Sequence, residues 1–301
     1  MLKILVTDGL AKEAIAELKT FADVDEQFYE EDQLGAALAN YDGLVIRSAT
    51  KVREPIIDQA LEAGRLKVVV RAGVGIDNID HAYAREKGLH VRNTPSANSN
   101  AMAELTVAHI FAVSRFIAPA NVTMRKGEWN KKNYRGVELA GQTLGLVGFG
   151  NTARAVAEKC AALGMTIMYY DIVGEDKNVP YTYKAMDDIF KEADFIALHT
   201  PATPDGKPLI DAAKIATMKD GVRIVNCARG GLIDEGALLD ALNTGKVAAC
   251  GLDVFVNEPD VNLDLVNHPN VSATPHIGAQ TVEAQARVGF EVVDVLKEEL
   301  L

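Results

Sequence analysis

The feature that most constrains the fold is a regular alternation of short apolar runs with segments of helical periodicity. The apolar runs predict strands at 2–7, 43–47, 66–70, 89–92, 143–148, 165–170, 194–199, 222–226, 248–252 and 271–274. Helices are predicted between the first four of these strands, at 11–21, 54–63 and 80–87. Strands and helices in this order predict an α/β fold with doubly wound parallel sheets, because each crossover places a helix on one sheet face.

Two predicted helices interrupt this alternation because no strand is paired with them. One is apolar and extends from Ser99 to Phe116, and the other is amphipathic and extends from Thr281 to Leu301. A chain of 301 residues is long enough for two domains. We interpret the two helices as the points where the chain enters a second domain and returns. The predicted domains are residues 1–97 plus 280–301 and residues 98–279; the alternative is one large sheet domain with additional helices.

Charge and cysteine content exclude several classes of partner. The net charge of −11 argues against a nucleic-acid partner, since such proteins need a dense basic surface. The three cysteines have no CxxC spacing, which predicts reduced thiols in a cytoplasmic protein and no metal site. The apolar run at the N-terminus is too short for a signal peptide or a membrane span, so we expect no membrane partner.

A glycine-containing turn after the strand at 143–148 predicts a dinucleotide site. Gly148 permits a tight turn, Gly150 lets the backbone approach a pyrophosphate, and Ala153 occupies the third position of the motif. The following helical segment would present free N–H groups to the phosphates. Ordinary glycine-rich turns between a strand and a helix share this pattern, so the turn needs support from elsewhere in the sequence.

That support comes from Asp171, which follows the next strand and lies 23 residues after Gly148. A carboxylate at this position accepts hydrogen bonds from the adenosine ribose and repels a 2′-phosphate. The sequence therefore predicts NAD rather than NADP as the cofactor. The alternative is that Asp171 is a solvated carboxylate in a turn.

Three later strand ends carry reactive side chains: Arg229, Glu258 and His276. Because ligands bind at the carboxyl ends of parallel strands, we expect all three to converge on one site. His276 can take an alcohol proton, Glu258 can orient the imidazole, and Arg229 can bind a carboxylate with its planar fork. Each residue taken singly has a structural alternative, such as a surface turn or a loop. We interpret Cys227 as a packing residue beside the cofactor and not as a nucleophile.

The segments 226–235 and 274–279, with the sequences NCARGGLIDE and TPHIGA, resemble the D-isomer-specific 2-hydroxyacid dehydrogenase family over essentially the whole chain. The resemblance implies a Rossmann-type NAD domain inserted into a flavodoxin-like substrate domain, with Arg229, Glu258 and His276 as the catalytic residues. It also implies a homodimer formed through the NAD domain, with residues 117–138 in the interface. The further cofactor-binding residues that it implies are Asn151, Thr152, Thr200, Cys227, Asp253 and Gly278.

Within this family, the segments 45–52 and 71–80 favour a small anionic substrate, a phosphorylated hydroxy acid. Arg229 would hold its carboxylate, while Arg47, Arg71 and Gly73 would form the other wall of the site. The two arginines could equally be structural ion pairs. A basic group near the interface, which could instead be a solvated loop, consists of Lys131, Lys132 and Arg135 beside Trp129 and Tyr134.

Two features depart from the family pattern. The segment Gly206-Lys207-Pro208 is unusual for the loop it occupies, and no regulatory domain follows Leu301. We therefore expect no feedback by serine through such a domain.

Two alternatives remain open: a reductase of glyoxylate, hydroxypyruvate or another 2-keto acid, and an NAD-sensing binding protein without catalysis. The joint presence of Arg229, Glu258 and His276 argues against the second.

Overall fold

The computed structural model describes residues 1–301, which divide into two compact units. Unit 1 comprises Met1–Asn98 and Ala279–Leu301, and unit 2 comprises Ser99–Gly278. Each unit contains one sheet in which every strand pairing is parallel. The predicted α/β class with two parallel sheets is confirmed.

Unit 1 has a five-stranded sheet with the order β2-β1-β3-β4-β5, the arrangement of flavodoxin-like folds. Its strands are β1 (Leu2–Val6), β2 (Ala22–Glu26), β3 (Gly43–Ile46), β4 (Val68–Arg71) and β5 (His90–Asn93). Its helices are α1 (Lys12–Leu18), α2 (Glu31–Leu38), α3 (Glu54–Glu62), α4 (His81–Glu86) and the C-terminal helix (Val282–Leu300). The C-terminal helix packs beside α1, and α2 packs beside α3, so both sheet faces are covered and the central strand β3 is apolar throughout.

The sequence patterns did not reveal β2 or α2. The β2 strand, Ala-Asp-Val-Asp-Glu, lies at the edge of the sheet and alternates buried with exposed residues. It therefore lacks the continuous apolar run by which the central strands were recognised. The α2 helix is only eight residues long and contains Gly35, which weakens its helical propensity.

Unit 2 has a seven-stranded sheet with the order β12-β11-β10-β9-β6-β7-β8, the strand order of a Rossmann fold with one added strand. Its strands are β6 (Thr143–Val147), β7 (Thr166–Tyr170), β8 (Thr182–Tyr183), β9 (Phe195–Leu198), β10 (Val222–Asn226), β11 (Val247–Leu252) and β12 (Val271–Ala273). Its helices are α5 (Ser99–Arg115), α6 (Ile117–Arg125), α7 (Asn151–Ala162), α8 (Met186–Glu192), α9 (Ala212–Thr217), α10 (Glu235–Thr244) and α11 (Leu263–Val266). The C-terminal helix of unit 1 is α12.

Two further differences from the sequence prediction occur in unit 2. The helix predicted to reach Phe116 ends at Arg115, because Phe116 adopts the left-handed conformation with φ 55° and the chain turns by 67° into α6. The β8 strand has only two residues, too few for a sequence pattern.

No single helix is both long and apolar enough to cross a membrane; only the bent pair of α5 and α6, taken together, reaches that length and composition.

Candidate active site

The carboxyl ends of β10, β11 and β12 lie side by side, because these three strands are consecutive neighbours in the unit 2 sheet. The segments that follow them carry Arg229, Glu258 and His276 respectively. Their position at one sheet edge is the one in which doubly wound folds bind ligands. The structure thus brings the three predicted catalytic side chains to neighbouring strand ends.

His276 and Glu258 form the central polar pair of this site. The Nδ1 atom of His276 lies 2.7 Å from Oε2 of Glu258, and Oε1 of Glu258 accepts a hydrogen bond of 2.9 Å from the Phe255 N–H. Burial opposes ionisation of the Glu258 carboxyl, but these two hydrogen bonds and the nearby Arg229 charge outweigh burial and lower its pKa. Glu258 is therefore an anion at neutral pH and can orient the ring of His276.

Asp253 fixes the turn that carries His276. Its side chain is fully buried, and its carboxylate accepts hydrogen bonds of 2.8 Å from the backbone N–H groups of Ile277 and Gly278. The His276 N–H donates to the Asp253 carbonyl at 2.8 Å. His276 has φ 53°, a left-handed conformation that persists in a non-glycine residue only when its surroundings hold it. These bonds show how Asp253 holds the turn; its predicted contact with the cofactor stays a prediction.

The turn that carries Arg229 is held from within by Asn226, which is 1% exposed. The Asn226 amide donates to the Arg229 carbonyl at 2.7 Å and accepts from the Ala228 N–H at 3.0 Å. Gly230 then packs so closely on the next strand end that a Cβ atom there would overlap the Phe255 carbonyl. Neither Asn226 nor Gly230 was predicted as a site residue, although the double glycine after Arg229 was a visible signal.

The predicted dinucleotide turn lies between β6 and α7. Gly148 has φ +87°, and a Cβ atom there would lie 2.5 Å from the His199 carbonyl oxygen, so only glycine fits. Asp171 accepts a hydrogen bond of 2.7 Å from the Phe149 N–H, and so it also holds the turn. The α7 helix starts at Asn151 after Gly150 and has no side-chain cap, which leaves its first N–H groups for a ligand.

Two buried polar atoms in this region have no hydrogen-bond partner within the chain. They are Thr200 Oγ1 and His199 Nε2, both immediately after β9. Because β9 is next to β6 in the sheet, these atoms lie at the point where the strand order reverses, the position of the dinucleotide in this fold. Unpaired buried polar atoms beside a glycine turn and an uncapped helix fit NAD, with Thr152 in the first turn of α7. No group of three or more His, Cys, Asp or Glu side chains is arranged to hold a metal ion.

Cys227 is buried beside this region, at 2% exposure. Burial raises the pKa of its thiol to about 12, so the reactive thiolate is absent at neutral pH. All three cysteines are buried and unpaired. Cys227 is thus a buried and unpaired residue, and its position beside the cofactor stays a prediction.

The residues predicted for the substrate phosphate lie in unit 1. Arg47 follows β3 and Arg71 ends β4, and these strands are neighbours in which Ile46 is paired with Arg71. Arg71 donates to the Ser48 hydroxyl at 3.0 Å, and Gly73 has φ +148° with no room for a Cβ atom beside the Arg71 guanidinium. Arg47 is half buried, and this burial lowers its pKa, although the Asp8 carboxylate opposes the effect.

The predicted basic group lies in unit 2, on the loop after α6. Lys131, Lys132 and Arg135 are exposed, as is the ring of Trp129 at 79%. The Tyr134 hydroxyl is 2.8 Å from the Thr123 hydroxyl, which ties the loop to α6.

Comparison with known proteins agrees with this geometry. Residues 107–278 match the family model for the NAD-binding domain of D-isomer specific 2-hydroxyacid dehydrogenases. A hydroxypyruvate reductase of Thermotoga maritima is 47% identical, with 99% of this chain and 98% of the relative covered. A D-3-phosphoglycerate dehydrogenase of Methanocaldococcus jannaschii is 43% identical over 100% of this chain, but the chain spans only 58% of that relative's length.

A solved structure shows the same likeness in three dimensions. The structure of a glyoxylate reductase from Paecilomyes thermophila superposes with a TM-score of 0.89 at 30% identity, covering 100% of this chain and 97% of that one. The strand orders, the glycine turn and the family match agree with one another. The chain belongs to the D-isomer-specific 2-hydroxyacid dehydrogenase family and is an NAD-dependent oxidoreductase.

Proposed function

We propose that the protein interconverts D-3-phosphoglycerate and 3-phosphohydroxypyruvate in the cytoplasm, at the first step of the phosphorylated route to serine. His276 is the general acid and base, Glu258 orients it, and Arg229 binds the substrate carboxylate. The observation that carries the chemistry is the 2.7 Å pair of His276 Nδ1 and Glu258 Oε2. These residues follow β12 and β11, and β11 is the neighbour of β10, which Arg229 follows.

The pairing of His276 determines which of its atoms can react. Because Nδ1 donates to Glu258, the other ring nitrogen, Nε2, remains for the substrate hydroxyl. NAD, when bound, would supply the acceptor for the hydride from the carbon that carries this hydroxyl. His276 Nε2 removes the hydroxyl proton, and the ionised Glu258 stabilises the imidazolium that forms. In the reverse direction the imidazolium returns the proton to the carbonyl oxygen of the keto acid.

Arg229 supplies the charge that fixes the substrate beside His276. A guanidinium offers two parallel N–H donors to a carboxylate, a geometry that lysine lacks. The Asn226 side chain donates to the Arg229 carbonyl and accepts from the Ala228 N–H, and these bonds hold the backbone of the turn in place. This positioning orients the hydroxyl carbon toward the histidine and the cofactor.

The proposal of a phosphorylated substrate rests on Arg47. Its guanidinium is half buried and makes no hydrogen bond or ion pair within the chain, and burying such a charge is costly unless a partner compensates. A phosphate would be that partner. The D-3-phosphoglycerate dehydrogenase of Methanocaldococcus jannaschii supports the same substrate by its 43% identity.

A second candidate function is the reduction of hydroxypyruvate or glyoxylate. It is favoured by the hydroxypyruvate reductase of Thermotoga maritima, which is 47% identical and covered over 98% of its own length. These substrates lack the phosphate, so Arg47 would then have only a structural role.

An NADH-consumption screen with 3-phosphohydroxypyruvate, hydroxypyruvate, glyoxylate and 2-oxoglutarate separates the two functions. We expect the highest kcat/KM with 3-phosphohydroxypyruvate.

Arg47→Ala should raise the KM for this substrate about tenfold or more, since it removes a charge-assisted contact, and should leave the KM for hydroxypyruvate almost unchanged. Lys51→Ala, which removes an equal charge from an exposed neighbouring position, is the control. Equal effects of Arg47→Ala on both substrates would favour the second candidate.

The acid–base role is tested by His276→Ala. We expect turnover to fall by about 10²–10⁴-fold, the usual contribution of a positioned acid or base, while NADH still binds. Full turnover in a variant that binds NADH normally would refute the role and would reopen the interpretation as an NAD-sensing protein.

We also propose that the protein is a homodimer formed through α6 and the loop to residue 138. Apolar side chains are exposed there, among them Ile117, Val122, Met124 and Trp129, each more than half exposed. Light scattering on the eluted protein should give twice the chain mass, and a monomer would contradict the proposal.

A further inference from the structure

A buried histidine on α5 is hydrogen-bonded to the end of β12. His109 is 3% exposed; its Nδ1 lies 3.1 Å from Ser272 Oγ and its Nε2 lies 2.9 Å from Thr274 Oγ1. Thr274 Oγ1 in turn donates to Asp253 Oδ1 at 2.6 Å. His109 therefore connects with the carboxylate that holds the turn of His276.

The direction of these hydrogen bonds follows from the number of protons available. The Thr274 hydroxyl has one hydrogen, and the Asp253 carboxylate takes it, so the hydroxyl oxygen must accept from His109 Nε2–H. The Nδ1 atom is then the acceptor for the Ser272 hydroxyl. Burial lowers the pKa of His109, although the Asp253 charge opposes this, and the ring is neutral at pH 7. Every donor points toward the carboxylate, so each bond polarises the next.

Close packing keeps the His109 ring in its place. Gly251 on β11 lies against it, and a Cβ atom at that position would be 2.7 Å from the Cβ atom of His109. Two residues later the same strand leads to Asp253. The absence of a side chain at Gly251 thus lets α5 lie close to β11, with His109 beside the strand that leads to Asp253.

We infer that His109 is a positioning residue for the proposed acid–base residue His276. By donating to Thr274 it fixes the hydroxyl that orients the Asp253 carboxylate, and this carboxylate holds the Ile277 and Gly278 N–H groups. The turn must be held, because His276 lies in a left-handed conformation. The inference rests on the proposed function of His276.

The test compares two substitutions of similar size. His109→Leu removes both hydrogen bonds, whereas His109→Gln retains an N–H donor that can reach Thr274. We expect His109→Leu to lower kcat for keto acid reduction about tenfold, because a displaced acid loses alignment. His109→Gln should recover most of kcat. Ser114→Ala, which removes a buried hydroxyl bonded only to Ile110 on the same helix, should leave kcat unchanged.

A kcat of His109→Leu equal to that of the unsubstituted protein would overturn the inference. The inference would also be overturned if the Leu and Gln variants lost the same amount of kcat and the same amount of Tm, since that result indicates a purely structural role. If His109→Leu does not fold, Thr274→Val removes the same link from its other end, and the same outcomes decide. Full turnover of His276→Ala would refute the proposed function itself, whereas an inactive His276→Ala with a fully active His109→Leu refutes only this inference.

Discussion

Gly230 and Phe255 approach each other so closely that the backbone of one leaves no space for a side chain on the other. The contact joins the turn after β10, which carries Arg229, to the segment after β11, which carries Glu258. The separation of the turns that carry these two side chains is therefore set by backbone packing.

Substitution of Gly230 tests this relationship. Gly230→Ala places a methyl group on the Phe255 carbonyl, so the two turns must separate, and we expect kcat/KM to fall about 100-fold with a lower Tm. Steady-state kinetics and thermal unfolding measure both effects. Gly231→Ala is the matched control, because a Cβ atom there meets nothing within 4 Å. Equal kinetics of the two variants would show that the contact does not set the site.

The pH dependence of the reaction tests the role of Glu258. Its pKa is lowered, so its charge is present above the ordinary carboxyl pKa and is lost only as the pH falls through the lower folded value. Keto acid reduction needs the imidazolium form of His276. Glu258→Gln removes the charge that stabilises this form, so kcat/KM should fall at neutral pH and should lose the decline at acid pH that protonation of Glu258 causes. An unchanged pH profile with normal stability would contradict the orienting role.

Asp171 has two proposed roles, one in binding the cofactor and one in holding the glycine turn. It is proposed to bind the adenosine ribose, and it accepts the hydrogen bond from the Phe149 N–H. We expect Asp171→Asn to raise the KM for NADH about tenfold, because a charge-assisted bond at the glycine turn is lost. The ratio of activity with NADPH to activity with NADH should rise only because the activity with NADH falls. Asp176→Asn, which removes a loop carboxylate paired with Arg154, should keep the preference for NADH. A preference for NADPH in the unsubstituted protein would overturn the proposed contact.

Alkylation tests the assignment of Cys227 as a packing residue. Its buried thiol has a pKa of about 12, so iodoacetamide should not inactivate the folded enzyme at pH 7 and should react only on unfolding. Cys227→Ala should retain kcat to within about threefold, because no covalent step passes through the sulfur. Rapid inactivation that bound NADH prevents would contradict this assignment.

Much of the fold was predictable because central parallel strands are buried on both faces. The continuous apolar runs of β3, β4 and β9 are a direct consequence of that burial. The edge strand β2 and the two-residue strand β8 lack such a run, and α6 begins only because Phe116 turns the chain. These elements depend on neighbours that are distant in sequence.

The candidate site divides in the same way. Arg229, Glu258 and His276 were identifiable because each follows a recognisable strand and the carboxyl ends of parallel strands meet at one edge. His109 was not identifiable, since it lies within an apolar helix and its partner Thr274 is 165 residues away along the chain.

By itself the sequence determined which residue types stand at the strand ends and at the glycine turn, because burial periodicity and turn chemistry are local properties. Only the tertiary structure decided which of them touch. The order β12-β11-β10 places His276, Glu258 and Arg229 on adjacent strands, and glycines at 230 and 251 let backbones approach. The Asn226 amide, as a donor, and the Asp253 carboxylate, as an acceptor, then hold the turns by hydrogen bonds. Such contacts arise from packing between segments that no local pattern encodes.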